Sequence, residues 1–188
     1  MRIRRWNLRT LAALSMLTAL QVVLSRFVSI SLPNMKLSFG FVPVMLAGAL
    51  FGARGGALVG ALSDLIGALL FPSGAFFPGY TLTAALTGAL YGAFLHEKHG
   101  FFRILLNYVV TGVFMTLLLN SFMIAFQYGY LLVEAEGRSW GGVWTMFLAN
   151  LPKRLLQLAV MTPVQTILTH AILNLVGVQK RLSFLKHE

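Results

Sequence analysis

The chain reads GALVGALSDLIGALLFPSGAFFPGYTLTAALTGALYGAFL at residues 56–95, where two apolar runs flank a loop rich in proline, glycine and phenylalanine. In the first run, small or polar residues recur at spacings of four, four and three: Gly56, Gly60, Asp64 and Gly67. In the second run, small residues recur every four positions: Ala84, Gly88 and Gly92. These spacings place each set on one helix face, and small residues let membrane helices approach closely. The stretch therefore predicts two packed helices joined by a loop.

The whole chain is too apolar for a water-soluble protein. Of its 188 residues, 57% are hydrophobic and only 11% are charged, and the mean hydropathy is +0.79. A soluble domain of this length cannot bury so many apolar side chains in one core. We therefore expect lipid to surround most of the chain, as a single membrane domain over residues 1–188.

Six apolar runs are long enough to be membrane helices, at about 20 residues per span. They cover residues 8–30, 37–51, 56–70, 80–95, 104–132 and 143–176. Pro33 and Asn34, a tight turn at residues 52–55, and the loop at residues 71–79 separate the first four runs. The sequence thus predicts an all-α integral membrane protein, a bundle of six transmembrane helices.

The distribution of Lys and Arg predicts how the chain is oriented. With the N-terminus inside, ten of the 15 Lys and Arg residues fall on the cytoplasmic side. Both termini are then cytoplasmic in a multi-pass membrane protein. The basic residues 1–9 and the apolar residues 11–24 resemble a secretory signal, but no small-x-small cleavage site follows. We expect a retained first helix.

Several kinds of chemistry are excluded by residue types. The Lys and Arg residues that give the net charge of +10 lie at the ends of apolar runs. This position indicates that they determine membrane topology and do not form a nucleic-acid surface. There is no cysteine for a disulfide or a thiolate metal site. No Gly-Lys pair occurs, so a phosphate loop is missing, and the four histidines lack metal-ligand spacing. We expect a non-catalytic protein without a metal or cofactor, which takes its energy from a partner.

Asp64 is the only acidic residue inside a predicted span. A charged carboxylate near the bilayer centre costs roughly 2.5–3.5 kcal/mol on insertion scales. Asp64 shares a helix face with Gly60 and Gly67, so we expect it to point into the bundle. One interpretation is structural, with the carboxylate satisfied by an arginine or by backbone donors. The other is that Asp64 accepts hydrogen bonds from a ligand.

Five basic residues fall outside the predicted cytoplasmic side: Arg26, Lys36, Arg138, Lys153 and Arg154. Snorkelling to lipid head groups explains each of them alone. Together, Arg26, Lys36 and the pair at residues 153–154 bring cations from three segments, which favours an outward-facing cavity for an anionic ligand. In the last run Arg154 belongs to a polar stripe with spacings of four, three and four: Asn150, Arg154, Gln157 and Met161.

The loop at residues 71–79, with the residue that follows it, is dense in aromatic side chains: Phe71, Phe76, Phe77 and Tyr80. Aromatic residues are common anchors at membrane boundaries, which is one interpretation. The alternation of rigid proline with permissive glycine also suits a lid that stacks on a flat heterocycle.

Residues 36–95 closely resemble the folate-type substrate-binding (S) components of energy-coupling factor (ECF) transporters. The strongest similarity lies in Ser25-Arg26-Phe27, in GALSDLIGA at residues 60–68 and in FPSGAFFPG at residues 71–79. The resemblance extends over most of the chain and is looser in the later helices. It implies a six-helix protein that captures a vitamin from outside. It also implies a partner module of one transmembrane coupling protein and two cytoplasmic ATPases, which alone bind ATP.

The resemblance further implies that the ligand is folate or a reduced folate. Asp64 would accept two parallel hydrogen bonds from the guanidine-like edge of the pterin ring. The cations and the aromatic loop would supply the other contacts, from Arg26, Lys36, Phe71, Phe76, Phe77, Tyr80, Lys153, Arg154 and Gln157. S components also dock on the coupling protein through small residues of the first helix, for which the chain offers Ser15, Ala19 and Ala12.

Two other functions remain open from the sequence. The same architecture could serve another vitamin, namely pantothenate, biotin, riboflavin or thiamine, although the basic cluster favours a carboxylate ligand over cationic thiamine. A different class of protein, a small intramembrane enzyme or an unpartnered channel, would lack the association with ATPase subunits.

Overall fold

The computed structural model describes residues 7–32, 35–72, 76–96, 100–131 and 139–175. Its helices are α1 (Leu8–Arg26), α2 (Phe41–Leu70), α3 (Pro78–Leu95), α4 (Phe101–Thr111), α5 (Ser121–Phe126) and α6 (Trp140–Leu175). Its strands are β1 (Ser29–Leu32) and β2 (Met35–Ser38). Two stretches of wider π-helical turns, Gly112–Asn120 and Gln127–Leu131, continue α4 and α5 into one helical segment, Phe101–Leu131.

Helix α2 reverses direction at Gly52. This residue has φ 74° and ψ −171°, a conformation that is essentially open only to glycine. A Cβ atom on Gly56 would lie 3.1 Å from the Cα atom of Gly48, whereas eight residues of straight helix span about 12 Å. Helix α2 is therefore a helical hairpin with two arms, and its reversal falls at the turn predicted for residues 52–55.

The number of helices differs from the prediction. The described residues form five helical segments, where the sequence predicted six separate helices. The reason is local, because a single non-helical residue is enough to reverse α2 and leaves no loop between its arms. Four of the five segments are long and apolar enough to cross a membrane: Leu8–Arg26, Phe41–Leu70, Phe101–Leu131 and Trp140–Leu175.

The second arm of α2 packs against α3 backbone to backbone. A Cβ atom on Gly88 would lie 2.0 Å from the carbonyl oxygen of Gly56, and one on Gly60 would lie 2.3 Å from that of Ala84. The two faces of small residues that the sequence predicts are therefore in contact, as close-packed membrane helices require. This packing fixes the position of Asp64, which lies one turn beyond Gly60.

The segment between α1 and α2 is a short β-hairpin, a local addition to a fold that is otherwise helical as predicted. The sequence carried the first helix to residue 30, but α1 ends at Arg26. Strands β1 and β2 pair antiparallel, with Ser29 opposite Ser38. Polar and apolar residues alternate over residues 29–32, a pattern that suits a strand.

The core lies where α1, α2, α3 and α4 meet, and its fully buried side chains include Leu14, Met45, Val59, Leu95 and Ile104. Helix α6 joins this core through Tyr108, whose hydroxyl is hydrogen-bonded to that of Thr169. Large apolar side chains on the outer faces stay exposed, among them Phe102 and Ile167. Such an apolar exterior is typical of a protein surrounded by lipid.

Candidate functional site

A cavity of about 420 Å³ lies between the helices. Its polar lining comes from α1, the hairpin, α2, α3, the Phe101–Leu131 segment and α6: Gln21, Ser25, Ser38, Asp64, Tyr80, Thr83, Thr87, Asn120 and Arg154. Its apolar lining includes Phe41, Val44, Tyr91 and Ile124. The volume is within the range of small-molecule sites, about 300–1,000 Å³. The cavity is therefore the candidate ligand site.

Asp64 lies in the wall of the cavity and is partly buried. The hydroxyl of Thr81 donates a 2.8 Å hydrogen bond to its Oδ2 atom. An ionised carboxylate has about four acceptor positions, so this bond uses only part of its capacity. Asp64 can therefore bind a ligand that presents N–H donors.

Arg154 brings a positive charge to the same cavity from α6. It is partly buried, and its guanidinium donates a 3.1 Å hydrogen bond to Oε1 of Gln157, three residues along the helix. A guanidinium has five N–H donors and binds carboxylates with two parallel hydrogen bonds. Within the part of the chain that the structure describes, Asp64 and Arg154 are the only charged side chains that line this cavity.

Two amide side chains hold α3 against the Phe101–Leu131 segment. The hydroxyl of Tyr80 donates a 2.7 Å hydrogen bond to Oε1 of Gln127, which is buried. The hydroxyl of Thr83 lies 3.0 Å from Oδ1 of Asn120. Asn120 ends one stretch of wide turns and Gln127 begins the other. Wide turns of this kind often occur at functional sites.

The aromatic residues of the 71–80 region have separate surroundings. Tyr80 lines the cavity. Phe77 packs between Tyr80 and Phe126, with ring centroids 5.7 Å and 6.4 Å away. Phe71 makes an edge contact with Phe27 at 5.2 Å, and Phe76 is exposed. Residues 73–75 lie outside the described part of the chain. Of the four predicted aromatic contacts, the structure places Tyr80 in the cavity wall.

Two of the other predicted cations, Arg26 and Lys153, are not among the described residues that line the cavity. The guanidinium of Arg26 packs over Gly67, so that a Cβ atom there would lie 2.9 Å from Nε. Gly67 is three residues from Asp64 on the same helix face. Lys153 is exposed. Lys36 pairs with Ser31 in the hairpin, and its side chain lies outside the described part of the chain.

Comparison with known proteins identifies the family. The model of the ECF transporter substrate-specific component matches residues 9–173. This chain belongs to that family. The match includes α1 except its first residue, every element from β1 to α5, and all of α6 except its last two residues. The protein is therefore a substrate-specific (S) component of a transporter and not a catalytic subunit.

Two relatives of this S component carry the name folate transporter FolT. The protein of Clostridium novyi (strain NT) is 38% identical over 109 residues, which are 57% of this chain and 63% of that protein. The protein of Leuconostoc mesenteroides subsp. mesenteroides is 30% identical over 168 residues, which are 88% of this chain and 85% of that protein.

Two solved structures share the fold of this S component. The crystal structure of FolT bound with folic acid superposes with a TM-score of 0.73 at 31% identity, covering 89% of this chain and 94% of that one. The S component of a bacterial ECF transporter superposes with a TM-score of 0.60 at 24% identity, covering 89% of this chain and 97% of that one. The second likeness concerns the fold alone.

The predicted site did not include six polar residues of the S component's cavity: Gln21, Ser25, Ser38, Thr83, Thr87 and Asn120. Gln21 and Asn120 are single amides within otherwise apolar runs. Uncharged polar residues in a membrane helix usually face protein or a cavity. The sequence therefore indicated that each amide faces protein or a cavity. It did not indicate that both amides line the same cavity, because no residue spacing relates them.

A second concave surface, an apolar groove of about 500 Å³, lies between α1 and the second arm of α2. Its α1 side is lined by Leu11, Leu14, Ser15, Thr18, Ala19, Val22 and Val23, and its α2 side by Leu58, Leu62 and Ile66. Of the three residues predicted for docking, Ser15 and Ala19 line this groove. Ala12 is exposed on α1 beside it.

Proposed function

We propose that this S component binds folate in the 420 Å³ cavity and takes part in its uptake. The observation that carries the proposal is that Asp64 and Arg154 line one cavity. Folate carries a donor edge on its pterin ring and an anionic glutamate tail, so it complements a carboxylate and a guanidinium in the same site. The two relatives named folate transporters support this ligand.

The proposed contacts follow from the chemistry of the cavity wall. Asp64 accepts from the paired N–H groups of the pterin, while Thr81 keeps one carboxylate oxygen in place. Arg154, oriented by Gln157, binds a carboxylate of the tail. Tyr80 offers a ring face to the heterocycle.

Arg26, Lys36 and Lys153 remain predicted contacts of the anionic tail, together with Phe71, Phe76 and Phe77 for the ring. We rank Arg154 above Lys153, because Arg154 lines the cavity whereas Lys153 is exposed.

The proposed topology has six crossings of the bacterial plasma membrane with both termini in the cytoplasm. The reversal at Gly52 supports counting the two arms of α2 as separate spans. Arg54 is exposed beside this reversal, as expected for a cytoplasmic turn.

Transport by this protein, as proposed, depends on a module of one transmembrane coupling protein and two ATPases. The absence of a phosphate loop from the sequence supports an external source of energy. The α1–α2 groove, with the small side chains of Ser15 and Ala19, is the proposed docking surface for the coupling protein.

The ligand assignment is tested by titrating the purified protein in detergent with a panel of vitamins while following tryptophan fluorescence. We expect saturable binding of folate and no competition from pantothenate, biotin, riboflavin or thiamine. A response to one of those vitamins and none to folate would overturn the ligand assignment. Copurification with ATPase subunits tests the transporter assignment against an enzyme or a channel.

A further inference from the structure

Asn120 occupies a defined position in the cavity wall, beside a buried hydroxyl. Thr83 is buried, and its Oγ1 atom lies 3.0 Å from Oδ1 of Asn120 and 2.9 Å from the carbonyl oxygen of Tyr80. That carbonyl is in the first turn of α3, where it also accepts the N–H group four residues later. The hydroxyl of Thr83 has one proton for these two acceptors. Because the carbonyl oxygen of Tyr80 already has a helical hydrogen bond, the amide oxygen of Asn120 needs this proton more than the carbonyl does.

The orientation of the Asn120 amide decides what it offers to a ligand. An amide has an acceptor at one end and two N–H donors at the other. Because the hydroxyl of Thr83 donates its hydrogen bond to Oδ1 of Asn120, the Nδ2 amino group of Asn120 stays available to the cavity. The wall then presents a carboxylate acceptor at Asp64 and an amide donor at Asn120.

A pterin ring carries groups that are chemically complementary to both side chains. Its 2-amino group and N3–H are donors, and the neighbouring 4-oxo group is an acceptor. We propose that Asn120, oriented by Thr83, is a specificity-determining residue that donates an N–H group to the 4-oxo oxygen of the pterin while Asp64 accepts from its donor edge. This inference rests on the proposed function, because it assumes a folate in the cavity.

The test compares folate with aminopterin, in which an amino group replaces the 4-oxo group and N3 carries no hydrogen. The wild-type protein is therefore expected to bind aminopterin more weakly, and each variant is compared with the wild type for the same ligand. Aminopterin offers no acceptor at that position, so it gains nothing from the N–H groups of Asn120. Replacing Asn120 with Leu is expected to weaken folate binding roughly five- to tenfold and to leave aminopterin binding unchanged. Thr83→Val is expected to produce a smaller loss, again for folate alone. Isothermal titration in detergent measures both affinities.

Two further variants keep the test decisive. Asn107 is a buried asparagine of α4 whose amide atoms have no hydrogen-bond partner, and it is not among the cavity-lining residues. Asn107→Leu is therefore the matched control and is expected to change neither affinity. If Asn120→Leu does not fold, Asn120→Asp replaces it. A carboxylate there has no donor and repels the 4-oxo oxygen, so we expect a larger loss of folate binding.

The two hypotheses fail in different ways. If the wild-type protein does not bind folate, the proposed function is wrong. If the wild-type protein binds folate but the Asn120 variants lower folate and aminopterin affinity equally, Asn120 has only a structural role and the inference is overturned. Unchanged affinity for folate in the Asn120 variants overturns it as well.

Discussion

Gly88 of α3 lies directly against the backbone of Gly56 in α2, so that a Cβ atom on Gly88 would be 2.0 Å from the carbonyl oxygen of Gly56. Real Cβ atoms essentially never approach another atom this closely, and the neighbour here is backbone, which cannot rotate away. The contact joins the arm of α2 that carries Asp64 to the helix that carries Thr81 and Tyr80. Helix packing and the geometry of the cavity are therefore linked.

Gly88→Ala is expected to destabilise the protein, since the added methyl group must push the two helices apart. Overpacking of this kind costs about 1–3 kcal/mol. The measurement is the midpoint of thermal unfolding in detergent. Gly141→Ala is the matched control, because a Cβ atom there meets Oγ of Ser139 at 3.8 Å, an ordinary contact. An unchanged midpoint for Gly88→Ala would contradict the close packing of α2 and α3.

Gly52→Ala is expected to destabilise the reversal of α2. The nearest atom to a Cβ at this position is Cδ2 of His96 at 3.5 Å, which leaves enough space, so the cost comes from the φ of 74°. Holding a residue other than glycine in this region costs about 1–3 kcal/mol. Thermal unfolding measures the loss, with Gly141→Ala again as the control. A fully stable Gly52→Ala variant would mean that α2 does not reverse at this residue.

Ser15→Leu and Ala19→Leu are expected to fill part of the α1–α2 groove and to prevent docking on the coupling protein. Neither residue lines the 420 Å³ cavity, so folate affinity should stay unchanged. Copurification with a co-expressed coupling protein and ATPases measures docking, and Ala93→Leu, at an exposed alanine of α3 that does not line the groove, is the control. Normal copurification of both groove variants would show that docking uses another surface.

The sequence was sufficient to predict the elements that depend on local pattern. Gly52 ends an apolar run, and the small residues at spacings of four, such as Gly56 and Gly88, predict a close helix pair. Asp64 and Arg154 stand out as charges within apolar runs, and the structure places both in one cavity. Their roles toward a ligand stay predictions.

The features that the sequence did not predict depend on three-dimensional packing. The β-hairpin begins three residues after α1 ends at Arg26, where the sequence predicted that the first helix continues to residue 30, and its two strands are only four residues each. The wide turns of the Phe101–Leu131 segment change which residues face α3, so the pairing of Asn120 with Thr83 cannot be derived from α-helical periodicity. The cavity gathers isolated polar residues from distant parts of the chain, which share no spacing.

The most direct test of the proposed function is to titrate folate and 6-methylpterin, which keeps the pterin ring and carries no carboxylate, into the wild-type protein and three variants. Asp64→Asn is expected to weaken both ligands about 10- to 100-fold, because each carries the pterin. Arg154→Gln is expected to weaken folate to a similar extent and 6-methylpterin hardly at all, while Lys153→Gln, at its exposed neighbour, is expected to produce a smaller loss for folate. Equal losses for both ligands in Arg154→Gln, or unchanged affinities in Asp64→Asn, would contradict folate binding by these two residues.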